Sequence, residues 1–464
     1  MRLFVKDRGF YSKLLNIAIP VSLQSLVMFS VNVADTVMVG SLGEFSIAGV
    51  ALGNQFTFLY MITCFGIAGG MGVLTAQFWG KRDSEAISAG LSIIIKISVS
   101  FGILFVAAAA LFPERVMGLY STEAEVISEG AAYLRYLSIG YLFMGLTTMI
   151  VSTLRSVAVV KLTLLTNCVA LVFNIFFNWT LIFGHLGMPR LGVVGAALAT
   201  TICRVVEFTI VAVFLFRIDH RIKYKLRMLL HWDGDIFRNY RKNGLPVIVS
   251  DIFLAVGGTM LTMVLGRMGA VVMSASAIAN TIYQLTSIFL MGISSASGVI
   301  TGNTVGEGEI EKVKSYGVTF ISLATLVSLF AIVVIQIVKT FIFRNFYIGG
   351  EAFRMFNVAK ETEVIADQLI NTLCVLAVFM SLGNILTKGI LRAGGDTRFL
   401  MIADILFLWV VSVPLGFFTG LVLKWPAYAV FFCLHIDEVI KTVWCLFRFG
   451  SWKWIRDVAI RNVS

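Results

Sequence analysis

Long apolar runs separated by short polar punctuation fill this chain from end to end. A membrane-crossing helix needs about 20 mostly apolar residues. Runs of that kind fall near 14–40, 47–78, 88–111, 130–154, 160–184 and 191–217. A second set falls near 243–268, 274–300, 314–345, 366–393, 398–424 and 426–450. The pattern predicts an all-α integral membrane protein with twelve transmembrane helices. One long polar and basic stretch, residues 217–242, is expected as a cytoplasmic linker between an N-terminal lobe at 1–216 and a C-terminal lobe at 243–464.

The two sets repeat one another. Pro20 and Pro246 lie 226 residues apart, each early in the first helix of its half. The same offset lays Gly40 on Gly266, Gly43 on Gly269, Asn54 on Asn280, Gly72 on Gly298 and Gly80 on Gly306. Further along the offset becomes 237, pairing Leu154–Arg155 with Leu391–Arg392 and Lys161 with Arg398. The difference fits a longer connection between the ninth and tenth helices, around 348–363. Six spans per half is an even number, so both halves enter the membrane in the same direction, as parallel repeats. Such a pair is expected to enclose a central cleft and to rock. That favours a transporter over a channel or a membrane-embedded enzyme.

Composition narrows the class further. Of 464 residues 58% are hydrophobic and 14% charged, and the mean hydropathy is +0.90. No soluble packing buries that much apolar surface, which excludes a soluble enzyme, a nucleic-acid module and a disordered scaffold. The net charge of +11 sorts by side: 25 of the 37 lysines and arginines fall with the N-terminus and eight on the opposite side. By the positive-inside rule both termini are cytoplasmic and the protein sits in the cell (inner) membrane. The same asymmetry accounts for a pI near 9.4 without nucleic acid, and makes anionic lipid the expected contact of the basic stretches. Residues 1–13 are basic and amphipathic, and the apolar run after them is too long for a cleavable signal. The six cysteines form no CxxC pair and read as small buried hydrophobes; with four histidines and no HExxH, neither a metal centre nor a cofactor is expected.

Ionisable groups inside spans are expensive and are functional candidates by default. Asp35, in Asn32-Val-Ala-Asp-Thr36, has no basic residue within one turn, which suits it to exchange a proton or to ligate Na⁺; a hydrogen-bonded structural role is the alternative. Asn174 and Asn178, at i and i+4, share a helix face and can either ligate a cation or join helices. Asp251 and Asp404 also lack an evident local partner. Arg204 and Glu207 are spaced to satisfy each other, as are Asp437 and Lys441, with Glu438 left over. Met28, Phe56, Tyr60, Tyr283, Gln284 and Met291 are candidates for a greasy substrate cleft, against the plainer reading of helix packing.

Several of these residues carry a resemblance. Asp35-Thr-Val-Met-Val-Gly-Ser-Leu-Gly43, Gln77-Phe-Trp-Gly80, Gly302-Asn-Thr-Val-Gly306 and Leu391-Arg-Ala-Gly-Gly-Asp-Thr397 resemble motifs of the multidrug and toxic compound extrusion (MATE) family. The resemblance covers essentially the whole chain and is of bacterial type. It implies a monomeric antiporter that exports an amphipathic organic cation in exchange for H⁺ or Na⁺ by alternating access. It implies that Asp35 couples transport, that Asn174 belongs to an N-lobe cation site, and that Thr200 supplies a hydroxyl there. Where archaeal members have an aspartate four residues after that asparagine, this chain has Asn178. Asp251 resembles an acid of a clostridial-type branch, and Asp396 an acid of another branch that here lies near the loop and can clamp it. Pro20 and Pro246 are candidate hinges. A lipid-linked oligosaccharide flippase of the same superfamily is the runner-up, and a membrane-embedded enzyme the alternative from another class.

Overall fold

The computed structural model describes residues 4–230, 232–347 and 360–460. The longer connection expected around 348–363 lies for the most part outside them. Among the described residues every regular element is helical, as a chain in lipid requires when it must satisfy each backbone N–H and C=O within itself. Among the described residues ten helices are long and apolar enough to span a membrane, and an eleventh span is a pair, Ala124–Leu137 with Gly140–Ser156, bent by 55°. The twelfth expected span, 426–450, is two helices, Ala427–Leu434 and Ile436–Gly450, that break at His435.

Leu23–Ile248 and the tail from Ala459 form one compact unit; the chain up to Ser22 and Val249–Val458 form the other. These boundaries differ from the 1–216 and 243–464 lobes read from the sequence. Both fall inside helices, two residues past Pro20 in α1 (Arg8–Gly40) and two past Pro246 in the helix Leu245–Arg267. Packing explains the first: Phe10 is buried against Tyr316 and Phe320, at ring centroid distances of 4.5 and 5.3 Å. The polar stretch 217–242 is no free linker. It packs on the first unit, where Tyr224 Oη lies 2.8 Å from Ser92 Oγ and Tyr240 Oη donates to the carbonyl of Ile67 at 3.1 Å.

The repeat is visible in the backbone. α2 (Glu44–Gly80) and its counterpart Ala270–Gly306 each run 37 residues. Each is preceded by a glycine at nearly the same left-handed angle, Gly43 at φ 116° and Gly269 at φ 120°, where a side chain would be strained. Beyond these helices the halves diverge. Among the described residues the spans at 361–393 and 397–422 contain wider π-type turns at 385–390, 407–412 and 418–422, against one in the N-terminal half, at 214–218. Five cysteines are buried as expected, but Cys168 is exposed.

Candidate functional site

The unit Leu23–Ile248 contains a cavity of about 430 Å³. The first helix contributes Met28, Asn32 and Asp35, and α2 contributes Asn54, Thr57, Phe58 and Met61. These α2 positions are spaced by three and four residues, so they form one helix face. Asn167 and Asn174 enter from Lys161–Phe183, and Thr200, Arg204 and Glu207 from Val193–Val213. Tyr133 and Tyr141 close the side formed by the bent pair. Apolar walls with a few converging polar groups are the usual make-up of a small-molecule site.

Asp35 Oδ1 accepts a hydrogen bond from Asn178 Nδ2 at 2.5 Å, and the same amide nitrogen lies 3.2 Å from Asn174 Oδ1. Asp35, Asn174 and Asn178 are therefore one connected group; spacing predicts the shared face of the two asparagines. Asn178 is fully buried and lies behind the lining residues. Its Oδ1 and the Nδ2 of Asn167 are buried without a hydrogen-bond partner. Among the described residues Asp35 makes no ion pair; its polar neighbours are amides. Thr200 lines the cavity but spends its hydroxyl hydrogen on the carbonyl of Ala196 at 3.0 Å. Tyr133 Oη donates to Asn54 Oδ1 at 3.1 Å, and Thr57 Oγ1 lies 3.0 Å from Tyr141 Oη.

Arg204 and Glu207 pair at 2.7 Å, as their spacing predicts, but they also face the cavity that holds Asp35. The acid thus has a cation in electrostatic reach from another helix. Of the expected cleft residues only Met28 lines this cavity. Phe56 and Tyr60 point away from it into a core with Phe105 and Tyr141; Tyr60 Oη donates to the carbonyl of Tyr141 at 2.8 Å. Phe58 and Met61 take the lining positions instead. In the other unit Tyr283 packs against an apolar core, whereas Gln284 and Met291 are exposed.

Asp251, Asp404 and Asp396 of that other unit have basic partners far away in sequence. Asp251 receives both Nη groups of Arg392, at 3.0 and 3.4 Å. Asp404 accepts from Ser250 Oγ at 2.5 Å and lies 3.6 Å from Lys441 Nζ. Lys441 pairs with Glu438 at 2.9 Å rather than with Asp437, which instead exchanges hydrogen bonds with Ser412 at 2.8 and 2.9 Å. The i, i+4 pairing fails because Ser412 already satisfies the Asp437 carboxylate and Lys441 reaches two other acids. Asp396 clamps Arg448 at 2.6 Å and Arg456 at 3.3 Å.

The MatE family profile matches residues 20–180 and 246–418, one stretch in each half. An uncharacterized transporter of Bacillus subtilis, YisQ, is 24% identical over 93% of this chain and 92% of its own length. A probable multidrug resistance protein, NorM, of Halalkalibacterium halodurans is 24% identical over 86% of this chain and 85% of its own. A solved structure described as MATE in the bent conformation superposes with a TM-score of 0.83 at 20% identity, over 96% of each chain. With the profile matching both halves, the chain belongs to the MatE family of multi-pass membrane transporters.

Proposed function

We propose that this transporter exports amphipathic organic cations in exchange for H⁺ or Na⁺, with Asp35 as the coupling group. The observation that carries the reading is Asp35 itself: a carboxylate on a mostly apolar cavity, held by amides. A carboxylate in such surroundings binds a proton or a cation strongly while water is excluded and releases it when the cavity hydrates. Met28, Phe58 and Met61 give broad, permissive apolar contact, which suits a binder of many amphipathic shapes. The relatives named as probable multidrug resistance proteins support the drug-export half of the reading. The absence of an aspartate at Asn178 leaves one acid rather than two in the amide cluster.

Asp251 takes second place, shaping affinity through its pair with Arg392, and Asp404 stands with it; Thr200 and the two asparagines position the ion. Pro20 and Pro246 act as hinges: Pro20 removes a backbone hydrogen bond inside α1, Pro246 sits in the first turn of Leu245–Arg267, and each lies two residues before the chain passes from one unit to the other. Both termini face the cytoplasm. A cysteine probe at Phe45 should then label from outside and one at Asp233 only after permeabilisation; labelling of Asp233 in intact cells contradicts the orientation. The decisive functional test is efflux of a fluorescent organic cation from proteoliposomes, with Na⁺ and pH gradients imposed separately. Export driven by neither gradient would contradict antiport.

A further inference from the structure

Arg204 and Glu207 have no part in the coupling scheme above, yet both line the Asp35 cavity. Ala196, Thr200, Cys203, Arg204 and Glu207 are its lining positions on their helix, and that spacing puts them on one face. The Glu207 side chain is 8% exposed and that of Arg204 31%, so the acidic end of the pair is the more deeply buried. Arg204 pairs with Glu207 at 2.7 Å and shares the cavity with Asp35. The charged side chains of the lining are these three, two negative and one positive. The net charge of −1 depends on Glu207.

A guanidinium tethered in the same cavity as Asp35 is an internal competitor for any organic cation, at an effective concentration that free solute does not match. Something must hold it elsewhere if Asp35 is to take a cationic ligand. We propose that Glu207 is a specificity-determining residue: by holding Arg204 it keeps the Asp35 carboxylate available and fixes the cavity's preference for a monovalent organic cation. Without the Glu207 charge the cavity is neutral, Arg204 pairs with Asp35, and cationic ligands are excluded. This inference rests on the cation-export reading of the same cavity.

The test is tetraphenylphosphonium binding to the purified full chain, by calorimetry at fixed low salt, with Asp35→Asn measured alongside. Glu207→Gln should weaken binding about tenfold or more, and Arg204→Gln alone should tighten it several-fold. The double variant Arg204→Gln/Glu207→Gln restores the net charge and should return to within about threefold of the wild-type affinity. A Glu207→Gln protein that binds like wild type, or a double variant as weak as Glu207→Gln, overturns the inference. Should Glu207→Gln fail to fold, Arg204→Gln decides: tighter binding supports the inference and unchanged binding overturns it. If Asp35→Asn binds the probe normally, the export reading falls and takes this inference with it. If Asp35→Asn loses the probe while Glu207→Gln keeps it, this inference alone falls.

Discussion

Arg155 and Arg392 occupy equivalent places in the two halves and hold different partners. Arg155 donates to the amide oxygen of Gln24 at 3.3 Å, whereas Arg392 grips the Asp251 carboxylate with both Nη groups. Each guanidinium leaves its Nε buried without a partner. The contrast extends to the other acids. In the C-terminal half Asp251, Asp396 and Asp404 all have a basic side chain within 3.6 Å. In the N-terminal half Asp35 rests on amides in an open cavity. One scaffold has thus been used twice, once with Asp251, Asp396 and Asp404 paired to basic side chains and once with Asp35 held by amides on a cavity. The repeat preserved the frame and let the electrostatics diverge.

Replacing Arg392 by Ala should break this comparison most visibly. It strands the half-buried Asp251 charge, which typically costs about 3–5 kcal/mol, whereas Arg155→Ala removes a hydrogen bond to a neutral amide at about 1 kcal/mol. Thermal unfolding of the two variants in the same detergent measures the difference; equal losses would mean that the charge on Asp251 carries no structural weight. A smaller effect sharpens the same point. Gln24→Glu gives Arg155 the acid that Arg392 already has, and should stabilise the N-terminal half by up to about 1 kcal/mol. A destabilised Gln24→Glu protein would show that the two guanidinium sites are not interchangeable. The smallest effect on stability belongs to Pro20→Ala, which restores a backbone donor in an otherwise continuous helix. It should leave unfolding unchanged and slow transport; unchanged turnover at equal expression would remove the proline from the cycle.

The sequence carried the frame well and the partners poorly. Spans follow from apolar run length, and the repeat from Pro20 and Pro246 with their following glycines, because backbone geometry at Gly43 and Gly269 leaves a fixed mark in the chain. The Arg204–Glu207 pair and the Asn174–Asn178 face were legible because helical spacing places them together. The Asp251–Arg392 bond joins residues 141 apart, and no local pattern announces it. Asp437 shows the converse: its spacing to Lys441 is right, but Ser412 from another helix competes successfully. The α2 lining was missed by one step of phase. Phe56 and Tyr60 form an aromatic core on the neighbouring face, while Asn54, Phe58 and Met61 are the face that the cavity uses. Asn54 was within reach, since the repeat had already matched it to Asn280. That the cavity would also enclose Arg204 depends on how the surrounding helices converge, which spacing along one helix does not encode.

The central claim is that the unpaired carboxylate of the N-terminal half couples transport and the paired acids of the C-terminal half do not. Asp35→Asn keeps the shape and the hydrogen bonding of the side chain and removes its charge. Reconstituted beside wild type and Asp251→Asn, it should fold normally and lose gradient-driven efflux of a fluorescent organic cation, while Asp251→Asn retains a reduced rate. An Asp35→Asn protein with full ion-dependent efflux beside an inactive Asp251→Asn would contradict the account and place coupling in the C-terminal half.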